Sequence, residues 1–306
     1  MALSLAIITR TLVLPLPVLM APFAFAIPYL KRRGLSASIF ITVMFLVLSW
    51  TPAAYFMERN YNNFGSFMLS AQNGAHLSGW IAPLVRRAHE GTPRNLGAAE
   101  LAQKIQIRTA QNGPVAETYN KFEKSRIEVR YALEELQRYP LQAFLKAWAS
   151  GAAINLGGPA ILLDPRVRAL SNGSFDRTGG GNLVGQIVAF VSAANPPYIA
   201  IALFNFAGMV SISLLQVYGL IRLATKFLFP ATLACLCIGY FLLVNGPIGS
   251  PKYRLPFEPV LILLTGLAVV DLWDRAASWR VRCFAPFQEK FKILCSSQRQ
   301  RDVDQR

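Results

Sequence analysis

Acidic residues are scarce in this chain: 16 Asp and Glu stand against 31 Lys and Arg, a formal net charge of +15 over 306 residues. Histidine is scarcer still. His76 and His89 have no cysteine near them, so no zinc-type ligand set is available and no metal is expected. Cys235 and Cys237 fall inside an apolar run, and Cys283 and Cys295 in a basic tail, which argues against an external disulfide. Neither a P-loop nor a dinucleotide fingerprint is present, so a nucleotide-sugar donor is not expected, nor is a cofactor. Helix-turn-helix, zinc-finger and RNA-binding signatures are missing too. The positive charge is therefore read as contact with anionic lipid headgroups, not with nucleic acid.

Charge is also missing from long stretches. Residues 11–30, 34–57, 178–221 and 227–251 contain no Asp, Glu, Lys or Arg. About 20 apolar residues suffice to cross the hydrocarbon core as a helix. A last run, at about 255–273, places Glu258 in its first turn, where it can stay with the headgroups. The pattern predicts a mainly α, polytopic membrane protein with about five transmembrane helices and a helical extracytoplasmic insertion. Residues 1–57 supply two spans and 58–182 the insertion. An interfacial segment and three spans follow over 183–273, and 274–306 form a basic cytoplasmic tail. The 178–221 window is too long for one helix and breaks at Pro196-Pro197. Leu183–Ala194 then reads as an interfacial or re-entrant piece and Tyr198–Ile221 as the span.

If the spans alternate, Lys31-Arg32-Arg33, Arg222 with Lys226, and the tail from Arg275 share one side. By the positive-inside rule that side is the cytoplasm, and 58–182 with the 247–254 turn face outward. Arg10, an apolar run and Ala24-Phe25-Ala26 resemble a cleavable signal peptide, but Pro15, Pro17, Pro22 and Pro28 suit an uncleaved span better.

Within the insertion, Pro114–Arg138 has a helical apolar face through Val115, Tyr119, Phe122, Val129, Leu133 and Leu136, interrupted only by Arg126. Glu117–Lys121 and Glu134–Arg138 are spaced as i,i+4 pairs. A helix over Ala98–Ala110 precedes it. After Tyr139-Pro140, Leu141, Phe144, Leu145 and Trp148 suit a helix lying on the membrane surface.

The stretch Gly249-Ser250-Pro251-Lys252-Tyr253-Arg254-Leu255-Pro256-Phe257-Glu258-Pro259 sets two cations and an aromatic, stiffened by prolines, just before the last apolar run. Cations there can hold a lipid phosphate at headgroup level. Arg254 and Glu258 are one helical turn apart and can equally pair with each other. Taken with Thr9-Arg10 before the first proline-rich run and with Arg59-Asn60-Tyr61-Asn62-Asn63-Phe64-Gly65-Ser66-Phe67 followed by Asn73-Gly74, this stretch resembles the motifs of membrane-embedded, polyprenyl-phosphate-dependent glycosyltransferases of the GT-C type. That group includes the aminoarabinose transferases and protein mannosyltransferases.

The resemblance implies transfer of a sugar from a polyprenyl-phosphate carrier to an envelope acceptor at the outer face of a bacterial inner membrane. Lys252, Tyr253, Arg254, Arg59 and Arg10 would bind the lipid phosphate. Family members are about twice as long, with the catalytic carboxylate in an N-terminal half. The chain thus reads as a C-terminal portion, and a separately encoded N-terminal half is a candidate partner. Glu58 and Glu258 are the membrane-edge carboxylates at hand, each beside a cation it can simply neutralise, and neither matches the family's catalytic position. The alternative is a non-catalytic protein that binds a polyprenyl lipid or scaffolds a partner.

Overall fold

The computed structural model describes residues 2–111, 119–170, 188–189, 192 and 195–278. Most of Leu183–Ala194, the Glu117 half of one expected ion pair and the tail beyond 278 lie outside the described residues. Helices and turns make up the described chain, with no strand among the described residues. Four helical stretches are long and apolar enough to cross a membrane: Thr11–Leu30, Leu35–Phe64, Pro196–Lys226 and Leu228–Asn245. The protein is a mainly α polytopic membrane protein. Its described residues group into two compact units, Met1–Phe206 with Gly239–Arg254, and Ala207–Ile238 with Leu255–Arg306.

In the first unit, α1 (Ala2–Thr9) is a short helix that no pattern in the sequence sets apart. It packs on α3 (Leu35–Phe64), with Ser4 Oγ donating to the Leu48 carbonyl at 2.8 Å. A short 3-10 turn (Thr11–Val13) leads into α2 (Leu16–Leu30), which returns along α3. Trp50 Nε1 donates to the Leu14 carbonyl at 2.9 Å, giving a half-buried indole N–H its partner.

At 30 residues, α3 is about 45 Å long, more than the ~30 Å hydrocarbon core. Its final turns project past the apolar stretch. Arg59–Phe64, placed at the start of the insertion, form those turns. Gly65, in the left-handed region at φ 64°, ends them. Buried Asn60 then donates to the Met68 carbonyl at 2.8 Å and folds the following loop back on the helix end.

The insertion follows as α4 (Asn73–His76), a π-helical turn (Leu77–Ile81) and α5 (Ala82–Glu90), joined head to tail. Next come α6 (Arg94–Ala110), α7 (Lys121–Leu136) and α8 (Leu141–Gly157). Its core is built on small residues, Ala82, Ala132, Ala143 and Ala147, around Val85, Leu101 and Leu136, which lets the helices approach closely.

Two expectations change here. Of the helix placed at Pro114–Arg138, residues 114–118 lie outside the described residues; Tyr119 and Asn120 precede the helix, which starts at Lys121. Asn120 caps it, accepting from the Glu123 backbone at 3.0 Å while Glu123 accepts from the Asn120 backbone at 2.8 Å. That reciprocal capping box outweighs the apolar periodicity read through Tyr119. The Glu134–Arg138 pair is replaced as well: Arg138 pairs with Glu135 at 3.2 Å, and Glu134 takes Arg108 and Arg130.

The surface helix expected after Pro140 is α8. Leu141 and Leu145 face outward, while Ala143, Ala147, Gly151 and Asn155 are buried. A methyl group at Gly151 would come within 2.5 Å of the Gly246 carbonyl oxygen, so the glycine permits the close approach of α8 to the 246–247 backbone. Trp148 Nε1 donates to the Leu243 carbonyl at 3.0 Å. Asn155 Nδ2 donates to Ile248 O at 3.1 Å and its Oδ1 accepts from Ser250 N at 2.8 Å. A 3-10 turn (Ala160–Leu163) and α9 (Pro165–Ala169) complete this part.

The long α10 (Pro196–Lys226) starts at the Pro196-Pro197 pair, where proline fits because the first helical N–H groups lack partners anyway. α11 (Leu228–Asn245) follows, and residues 258–278 form α12. In the second unit, Asp271 on α12 accepts from Arg222 at 2.6 Å and from Arg275 at 2.8 Å, and Tyr218 donates to it as well. Gly219 lies directly against the Leu264 backbone. The last expected span, 255–273, therefore carries a charge at its far end, Asp271, in addition to Glu258 in its first turn. Its uncharged part runs only from Pro259 to Val270.

Candidate functional site

An open cleft of about 950 Å³ lies wholly within the first unit. Four elements bring its walls together: the α1–α2 junction, the last turns of α3 with the loop after them, the α4–α7 pair, and the short 3-10 turn Pro251–Arg254. Four of the five residues expected to hold a lipid phosphate line it: Arg10, Arg59, Lys252 and Tyr253. Arg10 occupies the extended residue that breaks α1 from the next turn. Arg59 sits over the Phe56 ring, 5.2 Å from its centroid, and Lys252 sits 5.2 Å from the centroid of Tyr253. Cation–π contact of this kind fixes a side chain without neutralising it.

Arg126 from α7 is a fourth cation in the wall, donating to the Gly65 carbonyl at 3.1 Å. Its signal was its intrusion into an otherwise apolar helical face. Asn73, Gln72, Ser125 and His76 add polar atoms; Ile8, Leu12, Met68, Leu69, Leu77 and Ile81 supply apolar surface. No Asp or Glu is among the described residues of the lining. Opposite-sign neighbours would normally satisfy four clustered cations; here no carboxylate of the described chain pairs with Arg10, Arg59, Arg126 or Lys252. The wall thus offers positive charge beside an apolar surface, a combination suited to an amphiphilic anion.

The remaining candidates lie elsewhere. Arg254 is only 9 % exposed and donates from Nη1 to the Leu156 carbonyl at 3.2 Å, so it ties the 251–254 turn to the end of α8 and does not line the cleft. Glu58 is exposed one residue before Arg59, outside the lining. Glu258 belongs to the second unit, at the first turn of α12.

One carboxylate not singled out from sequence stands near the wall. Half-buried Glu128 packs against Gly74, where an added methyl would meet its Oε2 at 2.5 Å and the Ser125 carbonyl oxygen at 2.6 Å. Burial pushes its carboxyl above the usual range. Gly74 also donates its backbone N–H to Ser125 Oγ at 2.9 Å. The Asn73-Gly74 pair therefore serves close packing of α4 on α7, and this packing is what places Asn73 and Ser125 together in the cleft.

Comparison with protein-family models, with curated proteins and with solved structures finds no match.

Proposed function

We propose that the cleft holds the phosphate of a polyprenyl-phosphate-linked sugar, and that the chain is the carrier-binding portion of a membrane glycosyltransferase acting on an envelope acceptor. The observation that carries this reading is the wall of Arg10, Arg59, Arg126 and Lys252 with no carboxylate among its described residues. When a sugar leaves its carrier, the bridging phosphate oxygen takes up negative charge, and fixed cations in a partly dry site stabilise that charge. The apolar side of the same wall suits the first isoprene units.

The basic Lys31-Arg32-Arg33 turn between α2 and α3 favours the cytoplasmic side for that end of the hairpin. The cleft and the 58–182 insertion then face outward from a bacterial inner membrane, with the C-terminus in the cytoplasm. A second reading, lipid binding without turnover, is favoured by one specific observation: the carboxylate that usually takes the acceptor's proton has no counterpart among the described residues of the lining.

Transfer of a labelled sugar from a polyprenyl-phosphate donor, in membranes carrying the chain alone or with a separately expressed N-terminal half, separates the two. Transfer that is lost in Arg59→Ala supports the enzyme. Donor binding with no transfer in either arrangement leaves the non-catalytic protein.

A further inference from the structure

Among its described residues the cleft has no carboxylate base, but it contains another group that can take a proton. Arginine, lysine and tyrosine side chains ordinarily keep their protons at neutral pH, whereas imidazole exchanges one there. His76 is the one imidazole among the described lining residues. It is half-buried, and no hydrogen bond or ion pair among the described residues occupies its ring. Its placement has a structural cause. In an uninterrupted α-helix, position 80 would share a face with Asn73, His76 and Leu77. The π-helical turn Leu77–Ile81 adds a residue to that turn: Trp80 instead stacks under Arg94, whose guanidinium carbon is 4.1 Å from the ring centroid, and Ile81 lines the cleft. Turns of this kind occur frequently at functional sites.

We infer that His76 is the proton acceptor of the transfer reaction, an inference that rests on the glycosyltransferase reading above. The acceptor's hydroxyl oxygen forms a bond to the anomeric carbon while its proton passes to the neutral imidazole. The bond from that carbon to the phosphate oxygen breaks, and its electron pair stays on the phosphate, which Arg59 and Lys252 hold. The products are the glycosylated acceptor, a polyprenyl phosphate and an imidazolium, which returns its proton to solvent.

The test uses the full chain in membranes, alone or with the separately expressed N-terminal half, whichever arrangement transfers, with His76→Ala and the more conservative His76→Gln, measuring transfer and polyprenyl-phosphate binding separately. Removing a general base costs about 10²–10⁴-fold in rate. Transfer is expected to fall by that factor in both variants while donor binding stays within about threefold, and added free imidazole is expected to restore part of the rate in His76→Ala. A structural role would not respond to imidazole. If His76→Ala misfolds, His76→Gln decides the question. Native-like transfer in either folded variant overturns the assignment and leaves the glycosyltransferase reading intact. A parallel loss of binding and transfer without rescue by imidazole makes His76 a binding residue and also overturns it. A native chain that binds the donor and transfers nothing, both alone and with the separately expressed N-terminal half, overturns the glycosyltransferase reading, and this assignment with it.

Discussion

The insertion helices and the cleft wall treat their cations in opposite ways. Across α5–α7, Arg86 pairs with Glu90 at 2.7 Å and Glu100 at 2.6 Å, Lys104 with Glu135 at 2.9 Å, and Arg108 with Glu134 at 3.1 Å. In the cleft, Arg10, Arg59 and Lys252 have no such partner among the described residues, and Arg126 has only a backbone carbonyl. The chain has few carboxylates, and Glu90, Glu100, Glu134 and Glu135 stand where the insertion helices are tied together. The first set serves architecture, and the second is the set that the proposed lipid phosphate would meet.

The largest effect is expected from removing cleft cations. Charge-assisted contacts contribute about 1.5–3 kcal/mol each, so Arg59→Ala with Lys252→Ala should weaken polyprenyl-phosphate binding by about 100-fold or more. Arg86→Ala, in the architectural set, should leave that affinity unchanged. Binding isotherms on detergent-solubilised protein, at low and raised salt, check both.

Next in size come the contacts that fix α8 to the turn carrying Lys252. Asn155→Ala leaves the Ile248 carbonyl and the Ser250 N–H without partners in a buried site, a cost of about 1–3 kcal/mol. Gly151→Ala overpacks against Gly246 at a similar ~1–3 kcal/mol. Thermal unfolding measures either loss, and a loss of donor affinity should accompany it because the Lys252 turn loses its support.

A smaller effect separates the carboxylates by pH. The hydrogen bond from Arg86 holds Glu90 below the usual carboxylate range. Burial pushes Glu135 up, but its bond from Lys104, with Arg138 and Tyr139, outweighs that and leaves it lowered. Both contribute stability that is present above the unfolded carboxylate pKa and is lost as pH falls through the lower folded value. Glu128 has the opposite sign: burial raises its pKa, so its contribution is complete below the unfolded value and is lost as pH rises through the folded one. Glu128→Gln should therefore stabilise the protein at neutral pH, whereas Glu90→Gln and Glu135→Gln should destabilise it there and flatten the acid side of the stability profile. Melting temperatures across pH 3–8 read all three.

The smallest effect belongs to Arg130→Ala, whose exposed pair with Glu134 at 3.3 Å should be worth less than about 0.5 kcal/mol and vanish in high salt.

The spans were legible because a water-soluble fold rarely keeps so long a run free of charge, and the break at Pro196-Pro197 follows from what proline does to a helix. Arg10, Arg59 and Lys252 were legible as a set because each stands at the edge of such a window. Less legible was anything settled by local hydrogen bonding or by packing between distant segments. The apolar periodicity running back to Val115 concealed the Asn120 cap. Arg254 carries the same charge as Lys252 two residues away, and only the fold reveals that one is buried against the end of α8. His76 lies in a segment whose helical phase is reset by a π turn, and no residue pattern announced that turn. Asp271 was within sight in the sequence, but its role as the acceptor for Tyr218, Arg222 and Arg275 depends on the approach of α12 to α10 at Gly219.

The most direct test of the central claim compares binding of a polyprenyl monophosphate with that of the matching uncharged polyprenol, for the native chain and for Arg59→Ala with Lys252→Ala. If the cleft cations await a lipid phosphate, the native chain binds the phosphate far more tightly than the alcohol, and the double variant erases the difference. Equal binding of the two lipids, or a phosphate preference that survives the double substitution, would contradict the account.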